Sequence, residues 1–159
     1  MDKKTYEKLK KSDNSTKIQS YKDKIFYGKV VDVYDGDTIK VNILINDTIE
    51  KYNIRLDGYD APEMRTKNNT EKEYAKVSRK MMEILVLDKI VKLECKEYDK
   101  YGRLLADIYV KNNDKEMNIN KFMIDKKYGY SYNGKKKDEF DEKNFNKNIE
   151  DIETNEYSY

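Results

Sequence analysis

Histidine is absent from this chain of 159 residues, and that gap removes more chemistry than any other. Imidazole is the commonest general base and the commonest transition-metal ligand. Without it zinc chemistry becomes improbable, and Ser-His and Cys-His nucleophile pairs are excluded. Hydrolytic chemistry would have to use carboxylates, Lys, Tyr or Arg, and a metal would have to be held mainly by oxygen, which favours calcium or magnesium. Cysteine occurs once, at Cys95, so no intrachain disulfide can form. Alternation along Val91-Lys92-Leu93-Glu94-Cys95 puts the thiol on the face of Val91 and Leu93, where a buried structural role is expected. No apolar run approaches the length needed to cross a membrane. Met1 to Tyr21 is charged and lacks the apolar stretch of a secretory signal. The expectation is a soluble, monomeric protein kept inside the cell without membrane contact, a removed leader being the alternative.

The chain is 40% charged and 37% hydrophobic, but neither class is spread evenly. Apolar residues concentrate between about Phe26 and Phe122, enough for one compact core. The net charge of +2 hides an asymmetry. Asp138, Glu139, Asp141, Glu142, Glu150, Asp151, Glu153 and Glu156 face only Lys143 and Lys147 in the last stretch, so the rest of the chain is basic. Three parts follow: a flexible basic arm over residues 1–24, a folded domain over 25–137 and an acidic tail over 138–159. A basic body suits a polyanion, and plain solubility explains it equally well.

Within the middle part, Phe26 to Val33 reads as a first strand, closed by a turn at Asp35-Gly36-Asp37. Ile39, Val41, Ile43 and Ile45 alternate along a second, and Ile49 to Leu56 along a third. Residues 57–69 form a loop broken by Gly58 and Pro62. Glu71 to Leu87 carries Tyr74, Val77, Ser78, Met81, Ile84 and Leu85 at helical spacing, with Thr70 as N-cap and Glu73 completing a capping box. Lys89–Glu97 and Leu104–Val110 are further strands, and a short helix covers Met117–Asp125. This predicts an α+β, mainly β fold: a five-stranded OB-type barrel with two or three helices.

Three irregular segments hold charges. Asp35-Gly36-Asp37-Thr38 alone is a polar hairpin end or a site for a hard cation. Asp60 and Glu63 flank Ala61-Pro62, a stiff loop that presents two carboxylates, while Arg55 falls on the strand face opposite Ile54 and Leu56. Asp99-Lys100-Tyr101-Gly102-Arg103 alone is an ordinary β-turn. Their co-occurrence in this order changes the reading. The motifs D-G-D-T at Asp35–Thr38, R-L-x-G-x-D-x-P-E at Arg55–Glu63 and D-K-Y-G-R at Asp99–Arg103 resemble the staphylococcal nuclease-like (thermonuclease, SNase) family over roughly Gly28 to Tyr132.

The resemblance implies roles. Asp37 and Asp60 would ligate one calcium ion, magnesium being the weaker candidate, and Ala61 would add its backbone carbonyl. The family prototype has Thr at that position. Asp35 and Thr38 would support the metal site from behind. Glu63 would be the general base, and Arg55 and Arg103 would bind the phosphate. Lys100, Tyr101, Tyr130 and Tyr132 would line the nucleotide pocket. The activity implied is calcium-dependent hydrolysis of DNA and/or RNA, single strands favoured, with little sequence specificity and with 3′-phosphate products. The alternative is a non-catalytic SNase-like or OB-fold module that binds nucleic acid. One departure stands out, since the prototype continues into a basic helical region where this chain has Lys135–Lys137 and then acids.

The chemistry is coherent apart from the resemblance. A phosphodiester repels hydroxide, and a divalent cation offsets that charge. A carboxylate polarises water, and two guanidiniums favour the pentacoordinate state. With an unassisted Glu as base, an alkaline pH optimum is expected.

Overall fold

The computed structural model describes residues 1–112, 115–134 and 139–145. Strands β1 (Ile25–Val33), β2 (Thr38–Ile45), β3 (Thr48–Leu56), β5 (Ile90–Tyr98) and β6 (Leu104–Asn112) make the barrel. Their order is β3-β2-β1-β5-β6, and a parallel pairing of β3 with β6, Ile54 opposite Leu104 to Leu56 opposite Ala106, closes it. A further strand β7 (Lys115–Asn118) pairs antiparallel with the outer side of β6. Three helices are described: α1 (Lys3–Lys10), α2 (Asn69–Val86) and α3 (Ile119–Asp125). The expected closed, mainly β barrel is therefore present.

The period-2 pattern of β2 is what the barrel uses. Ile39, Val41 and Ile43 are buried, while the hairpin beyond them runs past the barrel, leaving Leu44 and Ile49 exposed. That hairpin turns at Asn46 and Asp47, both with positive φ (48° and 63°), the backbone of the two-residue turn that matches strand twist. Val91, Leu93 and Cys95 point inward from β5 as the alternation required. Burial pushes the Cys95 thiol up to about 11, so the thiolate is scarce at neutral pH and the residue is structural.

Helix α2 covers one side of the barrel with Tyr74, Ala75, Ser78, Met81, Met82, Leu85 and Val86. Met81, Met82 and Leu85 are almost wholly removed from water, worth about 1.5–3 kcal/mol each. Its start differs from the sequence reading. The N-cap is Asn68, whose side chain accepts the Glu71 amide at 3.2 Å; Thr70 lies one residue inside the helix. Asn and Thr both cap. Helix α3 likewise begins two residues later than expected, with Asn118 as N-cap, because Lys115–Asn118 is taken up as β7. Among the described residues no helix is long and apolar enough to cross a membrane.

Inside α3, Asn120 is buried and does the work of a cross-link. Its amide nitrogen donates to the Asp57 and Ala106 carbonyls at 2.9 and 3.0 Å, and its oxygen accepts the Ile108 amide at 3.0 Å. It thereby ties α3 to backbone groups at the β3–β6 seam.

At the N-terminal end, α1 buries no residue, yet the chain meets the barrel before Ile25. Tyr21 packs edge-on against Phe26 and Tyr52, and Asp23 and Lys24 exchange backbone hydrogen bonds with Cys95. At the other end, Phe140 and Phe145 stack at 5.1 Å and rest on Tyr74 of α2. Lys135–Lys137, Asp138 and residues 146–159 of the acidic tail lie outside the described residues.

Candidate active site

The three charged segments meet at one end of the barrel. The turn before β2 presents Asp37 and Thr38. The end of β3 presents Arg55, and Thr38 stands directly opposite it in the β2–β3 register. The tie Leu56 N–H to Asp37 O at 2.9 Å continues that ladder into the turn. Strand alternation predicts that Arg55 faces opposite to Ile54 and Leu56. The structure buries all three, with Arg55 7% exposed, because loops fold over the barrel end and roof the face that would otherwise meet solvent.

The roof is a short ladder that sequence reasoning missed. Within residues 57–69, expected as a loop, β4 (Tyr59–Asp60) pairs antiparallel with β8 (Tyr130–Ser131). Two-residue strands carry no periodicity from which to be recognised. This ladder lays Tyr130 and Tyr132, two residues apart and so on one face, over the site. Tyr130 donates its hydroxyl to Asp60 Oδ2 at 2.8 Å, and the Tyr132 ring lies 5.3 Å from the Arg55 guanidinium carbon.

Arg55 is the centre of the arrangement. Its Nη2 donates to Asp60 Oδ1 at 2.6 Å and to Asp37 Oδ2 at 3.3 Å. Asp60 is fully buried and Asp37 nearly so, so both anions depend on that guanidinium. Burial opposes the Asp37 charge, but Arg55 and the Thr38 hydroxyl outweigh it and hold the carboxyl below its ordinary range. Asp35 goes the other way. Burial first, then the charge of Asp37, raise it to about 7, while its Oδ1 accepts the Asp37 amide at 3.1 Å. The pocket thus holds more carboxylate than its cations balance.

Arg103 arrives from the β5–β6 turn. Gly102 has φ of 78°, which lets the chain reverse, and Asp99 organises the turn by accepting the Tyr101 and Arg103 amides and Arg103 Nε at 2.7–2.9 Å. Arg103 Nη1 donates to the Thr38 hydroxyl at 3.1 Å and stands 4.0 Å from Asp37 Oδ1. Thr38 in turn donates to Asp37 at 2.6 Å. Among the described residues, Arg55 is held through Nη2 and Arg103 through Nε and Nη1. Lys100 and Tyr101 sit on the same turn, exposed, with Tyr101 5.5 Å from the Arg103 guanidinium and 5.1 Å from Lys100 Nζ.

Glu63 is placed differently. It is exposed at the rim, and what anchors this part of the loop is its backbone N–H, which donates to Glu71 at the start of α2 at 3.1 Å. Its charge is felt at Tyr130, whose phenol is raised by burial first, then by Asp60, Glu63 and Glu71. Ala61 is buried beneath the loop.

Several positioning residues carry no charge, and their packing partners gave no signal in the sequence. Gly36 is one: a Cβ there would sit 2.1 Å from Ser78 Oγ and 2.8 Å from the Ala61 Cβ. The missing side chain lets the Asp35–Thr38 turn press against α2 and the Asp60 loop at once. Gly129 likewise leaves room for the Tyr59 ring, 2.4 Å from where its Cβ would be. Tyr59 is fully buried and donates to the Tyr128 carbonyl at 3.1 Å, so Ser78, 2.9 Å away, is the donor in their shared bond. Gly36→Ala should therefore displace the turn and lower stability by about 1–3 kcal/mol, measured by denaturant titration. Adding Ser78→Ala should restore part of that loss, and equal stability of Gly36→Ala and the parent would refute the packing.

Could a cation belong here? Among the described residues no three His, Cys, Asp or Glu side chains are gathered in a ready-made cage. The acids on hand are the Asp37 and Asp60 carboxylates, with the excess acid of Asp35 beside them. That set fits a hard divalent ion that keeps several waters, and not a softer transition metal.

A staphylococcal nuclease homologue model matches residues 53–154, and the chain belongs to that family. The match starts inside β3, so Asp35–Thr38 lie before it and are tied to the site by geometry. Proteins of Escherichia coli O157:H7 and of Escherichia coli, each named an uncharacterized endonuclease, are 38% identical over 98 residues, covering 62% of this chain and 56% of theirs. An uncharacterized protein of Methanocaldococcus jannaschii is 34% identical over 139 residues, covering 72% of this chain and 64% of its own. The chain thus spans little more than half the length of the Escherichia coli relatives.

Proposed function

We propose that this protein is a nuclease that hydrolyses phosphodiester bonds of DNA and/or RNA. The observation that carries the reading is the pair of arginines braced by carboxylates and by Thr38 at one barrel end, each with part of its guanidinium left over among the described residues. A surface arginine needs no such scaffold. A phosphate-binding one does, because pre-oriented donors lose little freedom when the anion arrives.

The residues divide the reaction. Arg55 Nη1 and Arg103 Nη2 are the terminal nitrogens that make no hydrogen bond to the described residues, and they donate to the non-bridging phosphate oxygens. Their hydrogen bonds strengthen as negative charge gathers on those oxygens. Glu63 at the rim accepts a proton from the attacking water, whose oxygen bonds to phosphorus while the bond to the leaving sugar oxygen breaks. That oxygen takes its proton from solvent. Leaving from the 5′ side gives the 3′-phosphate products that the family resemblance implies. Asp37, Asp60 and the Ala61 carbonyl are the groups that would hold a divalent ion, calcium before magnesium, and such an ion supplies charge neutralisation for the anionic substrate. Tyr101, Tyr130 and Tyr132 offer faces on which unpaired bases stack, which favours single strands and gives little sequence preference.

The test is calcium-dependent release of acid-soluble nucleotides from denatured DNA and from RNA, run alongside Glu63→Ala and Arg103→Ala. Activity that persists in chelator, or that survives both substitutions, would overturn this site.

A further inference from the structure

A second concave feature lies on the barrel flank, outside the arginine cluster. It is a cleft of about 460 Å³ between the end of the N-terminal arm and the β2–β3 hairpin, with Gln19, Tyr21, Asn46, Glu50, Tyr52 and Tyr98 in its walls. That is a volume typical of small-ligand sites. Three tyrosines crowd it: Tyr21 lies 5.8 Å from Tyr52, nearly perpendicular, and 6.4 Å from Tyr98. Tyr98 keeps 41% of its surface exposed.

The cleft is organised by a chain of hydrogen bonds. Gln19 Nε2 donates to the Tyr21 hydroxyl at 3.0 Å, the Tyr21 and Tyr52 hydroxyls meet at 3.1 Å, and Tyr52 donates to Glu50 Oε2 at 2.6 Å. With its hydrogen committed to Glu50, Tyr52 acts as acceptor from Tyr21. The other carboxylate oxygen of Glu50 accepts no hydrogen bond from the described residues. A carboxylate can only accept, so the cleft offers aromatic faces and an unfilled acceptor together.

Its placement ties it to the phosphate site. Tyr98 ends β5, and the next residue, Asp99, holds Arg103. Tyr52 precedes Arg55 by three residues on β3, a separation of roughly 10 Å along a strand. Strand β3 thus carries Arg55 and one wall of the cleft, and β5 ends at Tyr98, directly before the turn that carries Tyr101 and Arg103.

We propose that this cleft is a subsite for an unpaired nucleobase of the strand being cut, one that flanks the bound phosphate. The ring stacks on Tyr98, and the base edge donates to Glu50. This assignment rests on the nuclease reading above. Because Glu50 accepts only, the subsite prefers guanine, whose edge offers two adjacent N–H groups, over thymine, whose single N–H lies between two carbonyl oxygens that face the carboxylate unfavourably.

The experiment measures binding of fluorescein-labelled DNA hexanucleotides to the full chain by anisotropy, in chelator so that no cleavage intervenes. One oligonucleotide is all thymine and one carries guanines, with thymidine monophosphate as a ligand too short to span both sites. Tyr98→Ala should weaken hexanucleotide binding about tenfold or more and leave thymidine monophosphate unaffected. Glu50→Gln, at an exposed position, should remove the difference between the two hexanucleotides even if Tyr98→Ala proves unstable. A hexanucleotide Kd unchanged within twofold in Tyr98→Ala overturns the subsite, as does an equal loss for hexanucleotide and monophosphate. Equal binding of both oligonucleotides by the parent overturns the role of Glu50. Hydrolysis with Tyr98-independent binding would sink the subsite alone. Tyr98-dependent binding by a protein that cleaves nothing would sink the nuclease reading alone.

Discussion

Arg55→Ala should abolish hydrolysis and destabilise the protein by about 3–5 kcal/mol, because it leaves Asp60 and Asp37 as buried anions without their cation. Asp60 has no exposure to water and Asp37 has 7%, so solvent cannot substitute for the guanidinium. Arg55→Lys should recover little of either property. One ammonium cannot serve two carboxylates and a phosphate from the same position, and it lacks the second donor edge. Arg103→Ala is the informative partner. Arg103 is braced by Asp99 and Thr38 near the surface, so its loss should lower kcat about 10³-fold with a much smaller change in Tm. Activity and thermal melting of the three variants separate the two roles. If Arg55→Ala and Arg103→Ala proved equally stable, the account of Arg55 as the charge that permits the buried carboxylates would fail.

Glu63→Gln should lower kcat by about 10²–10⁴-fold with little change in stability, since the side chain is at the rim. The residual activity should rise with pH in proportion to hydroxide, while the parent protein, if Glu63 supplies part of the proton transfer as proposed, should depend on pH less steeply and reach its optimum on the alkaline side. A pH–rate profile peaking near pH 6, or a Glu63→Gln variant with parental kcat, would move the base elsewhere. Glu63 is the one site residue for which geometry adds least. The loop fixes its backbone through Glu71, and side-chain hydrogen bonds fix Asp37, Asp60, Arg55 and Arg103.

That contrast runs through what the sequence revealed. The barrel was legible because Ile39, Val41 and Ile43, and Val91, Leu93 and Cys95, alternate as buried strands must. Its charged rim was legible because three short motifs occur in order. The orientation of Arg55 was not, since strand alternation treats its face as outward and says nothing of a roof. The roof depends on Tyr59–Asp60 meeting Tyr130–Ser131, a pairing of two residues with two, seventy positions away. Gly36 and Ser78 were equally silent: an ordinary turn glycine and an ordinary helical serine matter here only because the two elements touch. The cap of α2 shows a milder limit, where Asn68 and Thr70 are chemically similar candidates and only the path of the preceding loop chooses between them.

The pairing of Asp60 with Tyr130 also sets when the site can exist. A chain emerging from the ribosome exposes its barrel strands first and residues 128–132 late. Until then Asp60 lacks its phenol donor, Tyr59 lacks the Tyr128 carbonyl, and the Gly58 carbonyl lacks the Tyr132 amide. A nascent polypeptide halted before that point would carry both arginines and both carboxylates without the roof that orders them.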